Sequence, residues 1–314
     1  MAPGVVDFAV SPGGEKWKSK MQKAIEKART LVEALTYIQQ YSGKIVVIKF
    51  GGSVMDSPEA MRGILTDVVF MNSVGMRPVL VHGGGKAISH AMSHRGLEVQ
   101  FVQGRRYTDQ RTLTVAEHVL CNEINGGIVE TIQSLGPRAM GLHTLSSCVL
   151  FGERLYLEES GRKIDLGMVG KVTGVNARLV ELLCRAGTIP VIAPLAVDKT
   201  GQKLNCNADT AAGEVAAALQ AEKFVVVSDT HGIRRDVDDP ASMIPRISEA
   251  EIRELIDSGV ISSGMLPKVE ACLGALDAGV KRSHIIDGRF THSLLLEIFS
   301  DSGVGTLITK GPEA

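Results

Sequence analysis

Short, almost wholly apolar runs alternate with amphipathic segments along most of this chain. Apolar runs of strand length cover residues 45–50, 78–82, 189–193, 223–228, 283–287 and 304–309. Segments with helical periodicity lie between them, at residues 58–75, 86–95, from 109 onward, 208–220, 248–257 and 265–279. Strands that are apolar on both faces are buried on both faces, which is typical of parallel sheets. The pattern predicts an α/β fold in which a mainly parallel central sheet carries helices on both faces.

Three stretches depart from this alternation. Residues 143–175 contain short segments and many turn residues, and they predict hairpins. Residues 15–40 place apolar side chains at helical spacing with Lys, Glu and Arg on the other face, and Ser42-Gly43 ends that helix. Residues 1–13 carry several prolines and glycines and are expected to be loose.

The pattern divides the chain into three regions. Residues 1–43 form a loose N-terminus and a helix, residues 44–194 an N-terminal lobe, and residues 195–314 a C-terminal lobe. The boundary lies near Pro194, where an apolar strand opens into a polar stretch. The apolar stripe of the N-terminal helix must pack on something, and we favour a second copy of the chain over its own lobe.

Two strands run directly into glycines. The strand 45–50 ends at Gly51-Gly52, and the strand 78–82 ends at the triple glycine 83–85. Glycine lets backbone amides approach a ligand closely, and the helix that follows directs its positive end there. Parallel strands carry such junctions to the same edge of the sheet. The two junctions therefore predict a phosphate site, although each glycine run by itself is also compatible with a tight turn.

Two lysines stand where an anion is expected. Lys49 follows buried apolar residues and precedes glycine, and a buried ammonium requires a negative partner unless it reaches the surface. Lys268 lies in the first turn of a predicted helix, where the helix dipole disfavours a cation unless an anion lies beside it. The alternative for Lys268 is a solvated surface lysine.

Polar residues cluster at three further junctions. Asn205, Asn207 and Asp209 precede a helix, where they either cap it or orient a substrate and cationic side chains. Arg105-Arg106 offers a guanidinium fork to a carboxylate, or is surface charge. Asp229 follows a buried strand, where it contacts a nucleotide or metal, or belongs to a turn.

Composition removes several classes of protein. The chain has 314 residues, 44% of them hydrophobic and 22% charged, and a net charge of -1, which gives no reason to expect a nucleic acid or an anionic membrane as partner. Five scattered cysteines without a C-x-x-C pair favour a reducing compartment and no zinc cluster. No apolar run is long enough to span a membrane and no signal peptide is recognised, so we expect a cytoplasmic protein.

Sequence motifs of other enzyme classes are also missing. The Walker pattern, G-x-G-x-x-G, H-E-x-x-H and G-x-S-x-G do not occur in the sequence. Cys206 has no obvious histidine partner, so a thiol nucleophile is not expected.

The ordered set of motifs resembles the amino-acid kinase family, and within it the members that phosphorylate N-acetyl-L-glutamate. The motifs are Lys49-Phe50-Gly51-Gly52, His82-Gly83-Gly84-Gly85, Gly104-Arg105, Asn205-x-Asn207-Ala208-Asp209 and Gly264-Met265-x-Pro267-Lys268-Val269. The resemblance covers residues 30–310 and implies the three-layer sandwich of that family. Two departures concern the acyl substrate: Lys86 replaces a usual proline, and residues 141–147 lack a usual Ser-Gly-Lys-Asp-Gly-like segment.

The resemblance implies ATP-dependent phosphorylation of the side-chain carboxylate of N-acetyl-L-glutamate, giving an acyl phosphate for arginine biosynthesis. The implied catalytic residues are Lys49 and Lys268, which stabilise the transferring phosphoryl group, and Asp209, which orients both lysines. The implied substrate-binding residues are Gly84, Gly85, Arg105 and Asn205. The implied phosphate- and ATP-binding residues are Gly51, Gly52, Asn207 and Asp229.

The same resemblance implies where the ligands bind. The acyl amino acid and the dimer contacts would lie on the N-terminal lobe, and ATP on the C-terminal lobe. Mg²⁺ would be held by the nucleotide, with no metal ligand from the protein. The acceptor carboxylate, with a solution pKa near ~4.3, is already ionised at neutral pH, so the reaction needs no general base.

The N-terminal helix resembles the extra helix of arginine-inhibited family members, in which such helices interlace dimers into hexameric rings. The positions that match the arginine site of such enzymes are Tyr37, His292, Glu297 and Gly303. We therefore expect a homo-oligomer, dimeric or hexameric, that L-arginine inhibits. The alternatives are a related kinase acting on another acidic or acylated amino acid, a poorly catalytic arginine-sensing homologue, and a nucleotide-binding module without transfer.

Overall fold

The computed structural model describes residues 12–159, 161–236, 238–261, 264–300 and 303–311, with the backbone alone for residues 12–16, 53 and 240. The chain divides into two compact units, Met1–Gln40 and Tyr41–Ala314. Most of the segment expected to be loose, residues 1–11, lies outside the described residues.

The described residues form ten α-helices and fourteen strands. The helices are α1 Pro12–Tyr41, α2 Pro58–Ser73, α3 Gly85–His94, α4 Gln110–His118, α5 Gly126–Ser134, α6 Ala177–Arg185, α7 Ala208–Ala218, α8 Glu249–Asp257, α9 Leu266–Asp277 and α10 Ser293–Ile298. The strands are β1 Ile45–Phe50, β2 Arg77–His82, β3 Phe101–Val102, β4 Arg105–Arg106, β5 Arg138–Leu142, β6 Leu150–Glu159, β7 Arg162–Val175, β8 Thr188–Ile192, β9 Leu195–Val197, β10 Lys203–Cys206, β11 Lys223–Ser228, β12 Arg246–Ser248, β13 Arg282–Asp287 and β14 Thr306–Thr309.

The first unit is helical throughout its described part, which belongs to α1. The predicted helix over residues 15–40 is therefore confirmed, and it begins earlier, at Pro12, which is tolerated in a first helical turn. Large apolar side chains along this helix are exposed: Trp17, Met21, Ile25, Leu31, Val32 and Leu35.

The second unit is built on an eight-stranded sheet in the order β12-β14-β13-β11-β1-β2-β8-β5. Every neighbouring pair is parallel except β13 and β14. The predicted mainly parallel sheet is confirmed. The central strand β1 lies between β11 and β2, and Lys49 is in register with Val226 on one side and Val81 on the other. The lysine is thus placed in the middle of the sheet.

Helices cover both faces of this sheet, as the apolar strands require. The helices α6, α7 and α9 share one buried cluster with side chains of the central strands, including Val47, Val79 and Phe224. Because side chains alternate between faces along a strand, Lys49 points to the same face as Val47. That face is the one on which α7 packs.

Residues 143–175 form the predicted hairpin, β6 paired antiparallel with β7. The sequence did not predict that β9 and β10 close this hairpin into a four-stranded barrel. The barrel fixes β10 beside β7 and so positions Asn205. The predicted lobe boundary near Pro194 falls between β8 and β9. The division into the lobes 44–194 and 195–314 stays a prediction, as does the region 1–43.

The long helix predicted from Asp109 is interrupted. The helix begins where expected, with Asp109 as its cap, but residues Val119–Asn125 form a π-helix before α5 continues. A π-helix inserts an extra residue per turn and is often found at functional sites. Here it faces the triple glycine, as described below.

Candidate functional site

A cavity of about 420 Å³ opens where β1 and β2 end. Both glycine junctions line it, together with the start of α7 and residues of β4, β10 and α9. The cavity brings together ten of the eleven predicted catalytic, substrate-binding and phosphate-binding residues: Lys49, Gly51, Gly52, Gly84, Gly85, Arg105, Asn205, Asn207, Asp209 and Lys268. The eleventh, Asp229, lines a neighbouring cavity.

The buried cation of β1 has its anion at the start of α7. Lys49 Nζ lies 2.8 Å from Asp209 Oδ1, and the two side chains are only 7% and 11% exposed. Asp209 occupies the first turn of α7, where the helix dipole stabilises a negative charge. The expectation that Lys49 requires an anion is met within the chain.

The two glycine junctions touch each other. The Gly83 amide donates to the Phe50 carbonyl at 2.8 Å. A Cβ on Gly51 would lie 3.2 Å from Lys49 Nζ and 3.4 Å from Gly83 Cα. Because residue 51 has no Cβ, Lys49 Nζ and the backbone of both glycine junctions can lie close together here.

Gly84 is required by the packing behind the junction. A Cβ at this position would lie 2.5 Å from Leu120 Cδ2 and 2.8 Å from Ile124 Cδ1, both on the π-helix. Gly84 precedes the first residue of α3, so its neighbours point amide groups toward the cavity. The close packing fixes the position of that helix end.

His82 was not among the predicted site residues, but it supports the same glycine junction. Its ring is fully buried, with Nδ1 2.8 Å from the Gly83 carbonyl and Nε2 3.1 Å from Asn125 Nδ2. Asn125 also donates to the Val191 carbonyl at 2.9 Å. Burial lowers the pKa of His82 to about 4, so the ring is neutral, with Nδ1 donating and Nε2 accepting. The sequence signal for this role was a histidine at the end of the predicted strand 78–82, whose other residues are apolar.

The two neighbouring arginines have different surroundings. Arg106 is buried and donates at 2.7 Å both to the Gly85 carbonyl and to Ser89 Oγ, which ties β4 to α3. Arg105 lines the cavity and is half-buried. The structure places the predicted Arg105 at the site, while Arg106, for which surface charge was the alternative, holds the glycine junction from behind.

The two predicted asparagines are both engaged within the chain. Asn207 Oδ1 accepts from the amides of Asp209 and Thr210, at 2.9 and 3.0 Å, so the capping interpretation holds for Asn207. Asn205 Nδ2 donates to Thr108 Oγ1 at 3.2 Å. Both residues nevertheless line the cavity.

A second cavity of about 310 Å³ lies beside the first, on the β11 side of the molecule. Its lining is largely apolar near Ile233, Ile261 and Met265, and Asp229 adds a carboxylate. Lys268 lines both cavities. A lysine at that position is within reach of a molecule that extends from one cavity into the other.

The expectation that Asp209 orients both lysines stays a prediction. Lys268 is half-buried, and its Nζ donates to the Gly264 carbonyl at 2.8 Å, in the turn before α9. The ion pair of Asp209 among the described residues is with Lys49. The structure brings both lysines to one cavity, and Lys268 contacts a carbonyl at its own helix end.

The residues predicted for arginine fall into two parts of the chain. Tyr37 belongs to α1, in the first unit. His292, Glu297 and Gly303 surround α10, where a Cβ on Gly303 would lie 2.9 Å from Glu297 Oε2. His292 Nδ1 lies 2.5 Å from Oδ1 of the buried Asp67.

Glu297 is committed to internal contacts. Its Oε1 lies 2.6 Å from His284 Nδ1, and its Oε2 accepts from the amides of Val304 and Gly305 at 2.7 and 3.0 Å. Burial opposes ionisation, but these hydrogen bonds outweigh it and hold the pKa of Glu297 below its ordinary value. Glu297 is therefore a brace between β13, α10 and the start of β14.

Two features bear on what the protein binds. Among the described residues, no three or more His, Cys, Asp or Glu side chains are grouped so that they could hold a metal ion. Within the same part of the chain, no helix is both long and apolar enough to cross a membrane.

Comparison with known proteins identifies the fold and the family. The sequence profile of the amino acid kinase family matches residues 44–287, which include both glycine junctions, Lys49, Asp209 and Lys268. The chain belongs to the amino acid kinase family.

Curated proteins with similar sequences include acetylglutamate kinases from several bacteria. The acetylglutamate kinase of Caldanaerobacter subterraneus is 47% identical over 93% of this chain and 96% of its own length. The acetylglutamate kinase of Moorella thermoacetica is 45% identical over 91% of this chain and 98% of its own length. The predictions of the amino acid kinase family and of a kinase are confirmed by these likenesses.

Among solved structures, N-acetylglutamate synthase from Neisseria gonorrhoeae, complexed with coenzyme A and N-acetyl-glutamate, has a TM-score of 0.80 and is 23% identical. The match covers 91% of this chain and 64% of the synthase, so this chain spans less than two thirds of the synthase's length. The same synthase complexed with coenzyme A and L-arginine has a TM-score of 0.75 and is 25% identical, over 90% of this chain and 65% of that one. The family match confirms the predicted amino acid kinase fold, and these structural likenesses agree with it.

Proposed function

We propose that this chain is an acetylglutamate kinase, which transfers the γ-phosphoryl group of ATP to the side-chain carboxylate of N-acetyl-L-glutamate, in arginine biosynthesis. The observation that carries the proposal is the shared cavity of Lys49 and Lys268, lined by both glycine junctions. The name of the curated relatives, at 45–47% identity over most of the chain, supports the choice of acceptor.

In the proposed reaction a carboxylate oxygen of the acceptor attacks the γ-phosphorus, and the bond from that phosphorus to the bridging oxygen of ADP breaks. An acyl phosphate and ADP result. The attacking carboxylate is already ionised, so no residue has to accept a proton. The obstacle is repulsion between two anions, and the protein's contribution is positioning and positive charge.

The positive charge comes from residues with different degrees of freedom. Lys49 is fixed by Asp209 in the middle of the sheet, so its ammonium is preorganised. Lys268 is half-buried and hydrogen-bonded to the neutral Gly264 carbonyl, so it can turn from that carbonyl toward a phosphoryl oxygen without leaving a carboxylate unpaired. The amides of the glycine junctions add donors that carry no mobile side chain.

The acceptor would lie in the first cavity. Arg105 would pair with its free carboxylate, because a guanidinium offers two parallel donors to a carboxylate. The amides around Gly84 and Gly85 and the side chain of Asn205 would hold the rest of the acyl amino acid. His82 and Arg106 act through the junction, by fixing the backbone carbonyls of Gly83 and Gly85.

The nucleotide would extend from the second cavity to Lys268. The apolar lining near Ile233 and Met265 suits a base, and Asp229 offers acceptors for polar groups of the nucleotide. Gly51, Gly52 and Asn207 would contact the phosphates in the first cavity. Mg²⁺ would arrive with ATP and neutralise part of the phosphate charge. In this arrangement residues 44–194 would bind the acyl amino acid and form dimer contacts, and residues 195–314 would bind ATP. The proposed location of the protein is the cytoplasm.

Trapping of the product tests this function against its alternatives. Purified protein would be incubated with ATP, Mg²⁺ and hydroxylamine, which converts an acyl phosphate into a coloured hydroxamate, with N-acetyl-L-glutamate, L-aspartate, L-2-aminoadipate and its N-acetyl derivative as acceptors. We expect hydroxamate chiefly from N-acetyl-L-glutamate. Strong preference for another acceptor would establish a related kinase instead. ATP binding without any hydroxamate would establish a binding module or an arginine-sensing homologue.

We also propose that the protein is a homo-oligomer, dimeric or hexameric, and that L-arginine inhibits it. The exposed apolar side chains of α1, from Trp17 to Leu35, support self-association of the region 1–43. For arginine, the support is the grouping of His292, Glu297 and Gly303 around α10, and the L-arginine complex of the structurally similar synthase. Glu297 is braced by His284, so it would offer a guanidinium only its remaining lone pairs.

Two measurements test these proposals. Light scattering of the full chain gives the oligomer, and removal of residues 1–40 should lower a hexamer to a dimer. Titration with millimolar L-arginine should lower hydroxamate production, with Tyr37→Ala losing the response while keeping the basal rate. Identical kinetics with and without arginine would show that L-arginine does not inhibit the protein.

A further inference from the structure

Lys86 is a cation at the mouth of the first cavity that the proposed mechanism leaves without a role. It lies in the first turn of α3, directly after the triple glycine, and it lines the same cavity as Lys49 and Lys268. The positive end of a helix disfavours a lysine unless an anion is present. An anion is present: Lys86 Nζ lies 2.7 Å from Asp56 Oδ2.

The Lys86–Asp56 pair joins the two glycine junctions from the solvent side. Asp56 ends the short 3-10 segment that follows Gly51, and Lys86 begins the helix that follows the triple glycine. The two side chains are 65% and 50% exposed. An exposed ion pair of this kind contributes little to stability, because water competes for both partners. The pair can therefore exchange partners when a stronger anion arrives.

Lys86 is paired with the glycine junction that the proposed function assigns to the phosphates, because Asp56 ends the segment that begins at Gly52. Asp56 is the main cause of its raised pKa, and the charge of Asp229, in the second cavity, adds to it. Lys268 lines both cavities, so a phosphate chain between them passes the mouth where Lys86 lies. Arg105, the cation proposed for the acceptor, lines the same cavity from β4.

We propose that Lys86 is a third phosphate-binding cation, which Asp56 holds aside in the free protein and releases to the phosphate chain of ATP. The inference rests on the proposed kinase function and adds a residue to it. Lys86 binds a phosphoryl oxygen, and Asp56 competes with ATP for the same ammonium. The two residues of one ion pair then have opposite effects on nucleotide affinity.

Opposite signs are what a purely structural ion pair cannot produce. If the pair merely tied the junctions together, removing either partner would weaken the site in the same direction. Under the proposal, Lys86→Met raises the KM for ATP about tenfold, the loss of one solvent-exposed charge-assisted hydrogen bond. Asp56→Asn lowers it roughly twofold to threefold, because the competing pair is a weak surface pair.

The experiment measures initial rates of the full-length protein with ATP varied at saturating N-acetyl-L-glutamate, and then with N-acetyl-L-glutamate varied at saturating ATP. The variants are Lys86→Met, Asp56→Asn and their double mutant, which should match Lys86→Met. Lys310→Met is the matched control, since Lys310 forms an exposed ion pair with Asp277, 3.2 Å away and outside both cavities. Thermal unfolding verifies that all variants fold.

Three results overturn the proposal: equal ATP parameters in Lys86→Met and wild type, shifts of the same sign in Lys86→Met and Asp56→Asn, or a shift confined to N-acetyl-L-glutamate, which would assign Lys86 to the acceptor. Calorimetric titration with MgATP in the absence of acceptor gives an independent measure of the same shifts. If the wild type binds MgATP but forms no hydroxamate, the proposed function fails, while the binding shifts still decide the role of Lys86.

Discussion

The ammonium of Lys49 and the carboxylate of Asp209 lie 2.8 Å apart, at the floor of a cavity lined by both glycine junctions. One partner comes from the central strand and the other from the first turn of α7, which packs on that strand. The contact between β1 and α7 therefore also determines where the ammonium lies that the proposed chemistry requires.

Removing one partner of this pair should cost stability as well as activity. Asp209→Ala leaves a lysine that is 7% exposed without its anion, and we expect the free energy of unfolding to fall by roughly 3–5 kcal/mol. The double variant Lys49→Met with Asp209→Leu should be less destabilised than either single change, because it buries no charge. Urea unfolding measures both. Equal stability of Asp209→Ala and wild type would show that the pair is not coupled to the fold.

A methyl group at Gly84 should disturb the second glycine junction. Gly84→Ala places a Cβ 2.5 Å from Leu120 Cδ2, so the junction or the π-helix must shift. We expect kcat/KM for the acceptor to fall at least ~10-fold, since small misplacements at a reacting centre are costly. Gly63→Ala is the matched control, because a Cβ there meets nothing within 4 Å. Adding Leu120→Ala should restore part of the activity; full activity of Gly84→Ala alone would contradict the packing argument.

The buried imidazole of His82 should make stability depend on pH. Burial lowers its pKa to about 4, so the folded state takes up this proton only near pH 4 while the unfolded chain takes it up near pH 6.5. Its contribution is therefore complete above pH 6.5 and is lost as the pH falls toward 4. Wild type should lose roughly 2 kcal/mol more between pH 7.5 and pH 5 than His82→Gln does. Unfolding curves at both pH values measure the difference; parallel profiles would place the proton elsewhere.

The cysteine in the cavity wall should be dispensable. Cys206 lines the cavity, but burial raises the pKa of its thiol to about 12, so it is not a thiolate at neutral pH. We expect Cys206→Ala to keep kcat within ~3-fold of wild type, in contrast to changes at the lysines. Native protein should also react slowly with iodoacetamide at this position. Loss of activity on Cys206→Ala with an unchanged melting temperature would bring back a thiol mechanism.

The sequence allowed the sheet, both glycine junctions and the cavity residues to be predicted for one physical reason. Parallel strands deliver their last residues to the same edge of a sheet, and β1 and β2 are neighbours, so Lys49 lies near the triple glycine. The start of α7 joins them because α7 packs on β1. Lys268 was placed by its resemblance to a family motif.

Contacts that depend on a change of helical register were not predictable in the same way. The π-helix Val119–Asn125 turns Asn125 toward His82 and packs Leu120 on Gly84, and nothing in the apolar periodicity marks that extra residue. The barrel closed by β9 and β10 depends on pairing between distant short strands. Arg106 points into the protein from β4. A strand of two residues is too short for an alternation of apolar and polar residues to reveal which side chain is buried.

In the proposed mechanism two lysines act on one phosphoryl group. The most direct test is the rate of hydroxamate formation from N-acetyl-L-glutamate, at saturating ATP and Mg²⁺, for Lys49→Ala, Lys268→Ala and the control Lys310→Ala. We predict that each of the first two lowers turnover at least ~100-fold, the loss of one transition-state donor, while Lys310→Ala keeps the wild-type rate. Near-normal turnover of both Lys49→Ala and Lys268→Ala would contradict the account.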